Sequence, residues 1–242
     1  MVNSSIQWAD RLPAMPGDRL DVPPAYAVVV DHLRRSIMLG TFGPGEKLPP
    51  EREHAERLGV SRVTLREAVR VLEGEGMVEV RRGSAGGTIV RGGDAARADV
   101  RRQLRGRLDT ILATQEFRLA IEPLAAARAA EHRTKAALKE LHRTIAEFEK
   151  ADSIGPFRRA DSIFHLTLAR NAACPPLARA VEDARIAMFE LVDAFDFTIV
   201  VASSLRAHAA ILECVEQRDA DGARAAMRAH IEETTREIHE VF

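Results

Sequence analysis

The sequence predicts a mainly α-helical chain with two folded parts, and three observations carry that prediction. Residues 25–92 hold three stretches of helical period, then two short β-branched runs on either side of a glycine-rich turn. From residue 93 to 242 the composition turns to Ala, Arg, Leu and Glu, with helical spacing throughout and almost no strand-like run. Residues 1–24 mix Pro, Asp, Ser and Gly without a period, as a flexible tail does. The expected division is therefore 1–24, 25–92 and 93–242.

In AYAVVVDHLRRSIMLG, Val29, Leu33 and Ile37 fall four residues apart and Gly40 supplies a stop, so a first amphipathic helix is expected there. TFGPGEKLPP is a Gly/Pro connector, and Glu51–Leu58 follows as a short second helix closed by Gly59. Ser61 is a natural N-cap for a third helix, Arg62–Glu75, with Val63, Ala68, Val71 and Leu72 expected on its buried side. The runs MVEV and TIV, separated by RRGSAGG, read as the two strands of a hairpin. Three helices and a hairpin in this order make a winged helix-turn-helix. Beyond it, helices are expected near 95–104, 107–131, 134–151, 156–171, 175–195, 200–217 and 219–240, an all-α bundle.

The formal net charge of -1 conceals a mild asymmetry, since residues 25–92 carry eleven Lys/Arg against nine Asp/Glu. That permits nucleic-acid binding by a small basic patch without requiring it. Cys174 and Cys214 stand far apart with no CxxC partner, so neither a disulfide framework nor a cysteine-built zinc site is expected, and both read as core residues. No run approaches the roughly 18 to 20 apolar residues of a membrane span, and the first residues lack the apolar centre of a signal peptide. A cytoplasmic location is expected.

In SRVTLREAVR, Arg62, Thr64, Arg66 and Arg70 alternate with apolar residues, so the arginines can face a DNA groove while Val63 and Ala68 face the protein. Arginine suits that task because its planar fork bonds both acceptors of a guanine edge or clamps a phosphate. Taken alone, the same arginines also fit a solvated helix face. Arg81 and Arg82 lie beside Gly83, Gly86 and Gly87 in the turn, where the backbone can pass close to a sugar-phosphate strand.

The wider stretch resembles the winged-helix domain of the GntR family of bacterial regulators. Pro44-Gly45, Leu48-Pro49, Glu51-Arg52, Val60 to Arg62, Leu65 to Ala68, Leu72, Gly76 and the wing glycines carry the resemblance. It implies that Arg52, Arg62 and Arg66 make the main DNA contacts, with Ser61 or Thr64 on a phosphate and Gly83 at the wing tip near the minor groove; Arg82, read from the wing turn itself, joins the expected DNA-binding set. Pro50 departs from the pattern, where a small polar residue is commoner; the helix start tolerates it, at the expense of a phosphate contact.

In the C-terminal part Asp161 and His165 lie four apart, so both emerge from one face of a helix and can meet one ion. That spacing alone also fits a surface hydrogen bond or a core histidine. The segments EFRLAIEPLAAARAAE, FRRADSIFHLTLARNAA and SLRAHAAILECVEQRDADGARAAMRAHIEE resemble the FCD ligand-binding domain of the FadR-like branch of these regulators. The resemblance implies a divalent metal on Asp161, His165, His208 and His230, a donor set that suits Zn, Ni, Mn or Fe(II). A carboxylate effector would bind the metal, with Arg118 at its other end, unless Arg118 instead pairs with Glu122. Asn171 is expected to line the pocket or cap a helix. His32, His54, His132, His142 and His239 read as surface residues, and residues 131–150 as a solvated helix face.

The expectation is a homodimeric DNA-binding regulator, a repressor released by its effector, and no enzyme. Two alternatives stand beside it: a metal with a purely structural role, and a metal-dependent hydrolase or oxygenase.

Overall fold

The computed structural model describes residues 24–83, 86–91, 104–188 and 197–242. The expected tail, apart from Pro24, and the expected helix at 95–104, apart from Leu104, lie outside the described residues. The order is α1 (Ala25–Met38), α2 (Glu51–Leu58), α3 (Arg62–Gly74), β1 (Val78–Arg81), β2 (Gly87–Val90), α4 (Leu108–His132), α5 (Lys135–Lys150), α6 (Ile154–Asn171), α7 (Pro175–Ala187), α8 (Phe197–Gln217) and α9 (Ala220–Val241). The chain is thus mainly α, a winged helix-turn-helix followed by an all-helical bundle.

In the N-terminal part Val29, Val30, Leu33 and Ile37 of α1 meet Leu65, Ala68 and Leu72 of α3 in one core that Val78 and Val90 of the hairpin close. Ser61 caps α3, its hydroxyl accepting from the Thr64 amide at 3.0 Å. The expected inner face of α3 needs correction: Val63 is 64% exposed and Val71 37%. At 100° per residue the buried stripe runs through Leu65, Ala68 and Leu72, which puts Val63 on the opposite side of the helix and Val71 on its flank. Pro50 stands at the N-cap of α2, and its carbonyl still accepts the His54 amide at 2.9 Å. β1 and β2 pair antiparallel in the register Val78↔Val90 to Arg81↔Gly87, and Lys47 adds a bridge to Ile89. A side chain at Gly86 would lie 2.2 Å from the Arg81 carbonyl, so the wing turn admits only glycine there.

In the C-terminal part α9 packs along α4, whose buried Ala125, Ala126, Ala127, Ala129 and Ala130 let neighbouring helices approach closely. Phe148, Phe157 and Phe164 lie at the centre of the main core with Ile211, Met227 and Ile231. The solvated face expected for 131–150 holds: α5 buries Ala137, Leu141, Thr144 and Phe148, while Arg143 lies outside between Glu140 and Glu147. Of the helix expected over 175–195, Pro175–Ala187 is present, and 189–195 lie outside the described residues. Cys174 and Cys214 are half-buried free thiols at core margins, more exposed than expected.

Among the described residues, α6 and α7 of the bundle touch the N-terminal part. Arg159 of α6 donates to the Gly40 carbonyl at 2.8 Å and pairs with Glu46. Gly40, at φ 75°, lies so close that an added Cβ would stand 3.1 Å from the Arg159 Cα. From α1, Arg35 donates to Glu182 at 3.0 Å and pairs with Asp183, both on α7.

Candidate functional site

Five helices of the bundle converge on one buried polar cluster. Asp161 and His165 stand one turn apart on α6, His208 comes from α8 and His230 from α9, and one ligating atom from each lies within 4.8 Å of the other three. All four residues are buried. His208 Nε2 is 3.2 Å from His165 Nε2 and 3.6 Å from Asp161 Oδ1, which is itself 3.7 Å from His165 Nε2. Donors that each stand about 2.0 to 2.2 Å from one ion lie roughly 3 to 4 Å apart, so the spacing fits a shared divalent cation. The donor set of three imidazoles and a carboxylate fits as well.

The surroundings orient these donors. His165 Nδ1 stands 2.6 Å from Glu122 Oε2, which leaves Nε2 directed at the cluster. Asp161 divides its oxygens, Oδ1 toward the histidines and Oδ2 toward Arg185 of α7. The His208 ring stacks on Phe164 with centroids 4.1 Å apart and meets the edge of Phe148 at 4.8 Å. Burial, reinforced by the neighbouring histidines, holds the His208 imidazole well below the usual histidine range. Burial, then His165 and Arg118, does the same to His230. Neutral imidazoles are the form that binds a metal. Burial alone would raise the Glu122 carboxyl, but Arg118 and then His165 overcome it and hold it well below the usual carboxylate range.

Of the two positions read as effector contacts, Arg118 reaches the cluster. It donates to Glu122 through Nε at 2.6 Å and Nη2 at 3.4 Å, and to Gln115 through Nη1 at 2.9 Å, so its intramolecular pair is present in this structure. Asn171 ends α6, six residues beyond His165, and donates to the Thr167 carbonyl at 2.9 Å, the position of a helix-end residue. Sequence spacing did not single out Arg185 or Gln115, whose side-chain Nε2 is buried without a partner. Of the histidines read as surface residues, His54 is only 5% exposed, because α2 packs its ring against Phe42 with centroids 6.0 Å apart.

At the other end of the chain the winged helix gathers cations beside a cleft of about 830 Å³ between α3 and the wing, with Lys47, Arg66, Arg70 and Arg82 on its walls. Arg62 and Arg66 are exposed, as is Arg52, which pairs with Glu56 at 3.2 Å. Ser61 and Thr64 share a hydroxyl hydrogen bond of 2.9 Å. Arg82 and Gly83 are exposed at the wing, Gly83 with φ 104°. Glu51, read from sequence only as part of a motif, holds both Arg62 and Arg66. Their hydrogen bonds, Arg66 first, lower its carboxyl below the usual value.

Comparison with known proteins agrees with this architecture. Residues 25–90 match the bacterial regulatory proteins of the gntR family, and residues 113–233 match the FCD domain. The HTH-type transcriptional regulator RmpR of Mycobacterium gastri is 36% identical over 163 residues, 63% of this chain and 56% of the relative, so the match spans little more than half of that protein. The Uxu operon transcriptional regulator of Escherichia coli K12 is 30% identical over 228 residues, 89% of this chain and 87% of the relative. The solved structure of E. coli McbR/YncC shares the fold at a TM-score of 0.54 and 21% identity, covering 90% of this chain and 99% of that one. The chain belongs to the GntR family of bacterial transcription regulators and carries an FCD domain.

Proposed function

We propose that the chain is a homodimeric transcription regulator in which residues 25–92 of two copies read a two-fold or near two-fold operator in double-stranded DNA. Residues 93–242 bind a small organic acid beside a divalent metal ion held by Asp161, His165, His208 and His230. The observation that carries this reading is the convergence of those four ligating atoms within 4.8 Å, oriented by Glu122 and Arg185, in a chain that also presents exposed arginines at a helix-turn-helix. A divalent ion there would attract a carboxylate oxygen as a Lewis acid. Arg52, Arg62, Arg66 and Arg82, with Ser61 or Thr64 and the backbone of Gly83, are the groups assigned to DNA.

Charge supports an anionic effector. Arg118 and Arg185 balance Glu122 and Asp161, so a divalent ion adds two positive charges to a buried cluster that is otherwise neutral in these four groups. A carboxylate ligand offsets one of them. The 3.4 Å bond from Arg118 Nη2 to Glu122 is the longest of its three, and the one a ligand oxygen replaces most readily.

The route from effector to DNA follows from shared helices. α6 carries Asp161 and His165 but also Arg159, which holds Gly40 and Glu46. α7 carries Arg185 but also Glu182 and Asp183, which hold Arg35. An acid that favours one packing of α6 and α7 therefore changes how the winged helices are held, provided it binds the two arrangements unequally. The sign we assign is repression relieved by the acid. Dimerisation is supported by Ala113, Phe117, Ala120 and Leu124, an exposed apolar stripe on α4 with the alternating four- and three-residue spacing of a helix–helix seam. A cytoplasmic location goes with this function.

A second reading, in which the metal only clamps the bundle, is favoured by the complete burial of His165 and His208. The test is operator release. Anisotropy of a labelled operator, selected from random DNA, is followed while organic acids are added to metal-loaded and chelated protein. Release that requires both acid and metal supports the sensor. A metal that raises the melting temperature without affecting acid-driven release leaves it only the structural role.

A further inference from the structure

Glu51 opens α2, Arg62 opens α3 and Arg66 follows one turn later, so the turn between the two helices brings one carboxylate against two guanidinium groups. The two guanidinium groups do not share it equally. Arg62 gives Glu51 Oε1 only its Nε, at 2.8 Å. Arg66 gives Nε to Oε2 at 3.0 Å and Nη2 to Oε1 at 2.8 Å. Neither arginine has another hydrogen bond among the described residues. Both arginines thus keep the outer N–H groups of Nη1 and Nη2, the edge of the fork that meets two acceptors side by side, and differ in that Arg66 is fixed at two points and Arg62 at one.

We propose that Glu51 is a positioning residue for base recognition: by holding Arg62 and Arg66 on the Nε side it aims their outer two-pronged edges outward, that of Arg62 at a guanine edge. This rests on the reading of Arg62 and Arg66 as groove residues. A carboxylate beside the DNA backbone repels phosphate, so its presence weakens non-specific binding. Its gain is orientation, because a guanidinium held at Nε presents its far edge in one plane. Removing the carboxylate therefore has opposite effects on the two kinds of binding. Non-specific affinity rises, while the preference for guanine at the position Arg62 reads falls, by about tenfold for the loss of one two-pronged contact.

The experiment is in vitro selection from random duplex DNA with the full chain, the Glu51→Ala and Glu51→Gln variants, and Arg62→Ala as reference. Binding to the selected site and to its guanine-substituted forms is then measured at two salt concentrations. Wild type is expected to fix a guanine in each half-site that Arg62→Ala no longer fixes. Glu51→Ala should relax the same position, along with any base that Arg66 fixes, and leave the other positions of the half-site in place, with unchanged or tighter binding to unrelated DNA. Glu51→Gln, whose amide oxygen still accepts, should restore part of the preference. If wild type fixes no guanine that depends on Arg62, the groove assignment fails. If it does and Glu51→Ala keeps that preference, or loses preference equally at all positions, the positioning role fails alone.

Discussion

Glu122→Gln isolates the orientation of the metal cluster from its ligands. In the native chain Glu122 Oε1 accepts from Arg118 Nε at 2.6 Å while Oε2 stands 2.6 Å from His165 Nδ1. A glutamine of the same shape has one oxygen and one NH2, so one of these two neighbours must face a donor. Either way the carboxylate charge is gone and the buried Arg118 guanidinium loses its counter-charge, which costs about 3 to 5 kcal/mol; if the NH2 faces Arg118, that hydrogen bond is lost as well. If it faces His165, Nδ1 becomes the acceptor and the ring proton moves to Nε2, the nitrogen that points at Asp161 and His208. Loss of an outer partner of a metal-binding histidine lowers affinity by about 10- to 100-fold. The expected result is weaker zinc binding by that factor in competition with a chromophoric chelator, together with a melting temperature lower by roughly 10 °C, taking about 2 to 4 °C per kcal/mol for a chain of this size. Zinc affinity within a factor of two of wild type and an unchanged melting temperature would refute the reasoning.

Other outcomes follow from the same structure. The imidazoles of His208 and His230 stay neutral in the fold well below the usual histidine pKa, while the unfolded chain takes up protons near pH 6.5. The chelated protein should therefore hold its full stability above about pH 7 and lose up to roughly 2.7 kcal/mol per pH unit below pH 6.5, two protons' worth; a melting temperature that stays flat or rises from pH 7 to pH 5 contradicts this. Phe117→Glu places a charge in the exposed α4 stripe, where Phe117 is 47% accessible, and should shift the molar mass seen by light scattering from dimer toward monomer with zinc content intact; an undisturbed dimer places the interface elsewhere. Ala173 lies in the left-handed region at φ 50°, so Ala173→Gly should raise stability by about 0.5 to 1 kcal/mol in thermal melts. A loss of stability there would mean that the Ala173 methyl contributes more packing than its backbone conformation costs.

The fold was legible wherever a local rule sufficed. Ser61 caps α3 and Gly59 closes α2 in the left-handed conformation, as the residue types suggested. Periodicity misplaced Val63, since an apolar residue type does not decide which side of a helix it joins; the stripe through Leu65, Ala68 and Leu72 does. His54 was misjudged for a related reason, because its burial depends on Phe42 from the preceding connector. In the cluster, the four-residue spacing put Asp161 and His165 on one face, but only the family resemblance joined them to His208 and His230, which arrive on separate helices. Arg185 has no local signal, being 24 residues from the Asp161 it touches. Glu122 carried one, its four-residue spacing from Arg118, yet its contact with His165 is tertiary and invisible to spacing. Glu51 was visible only as half of a motif, since its hold on Arg62 and Arg66 depends on the turn that sets α2 against α3.

The most direct test of the central claim is metal analysis of the purified native protein beside His165→Ala and His208→Ala. The expected result is about one divalent ion per chain in the native protein, lost in both variants while their helical content remains. A native protein that carries no metal and takes up none on dialysis against zinc, nickel, manganese or iron(II) would contradict the assignment of Asp161, His165, His208 and His230 as a metal site.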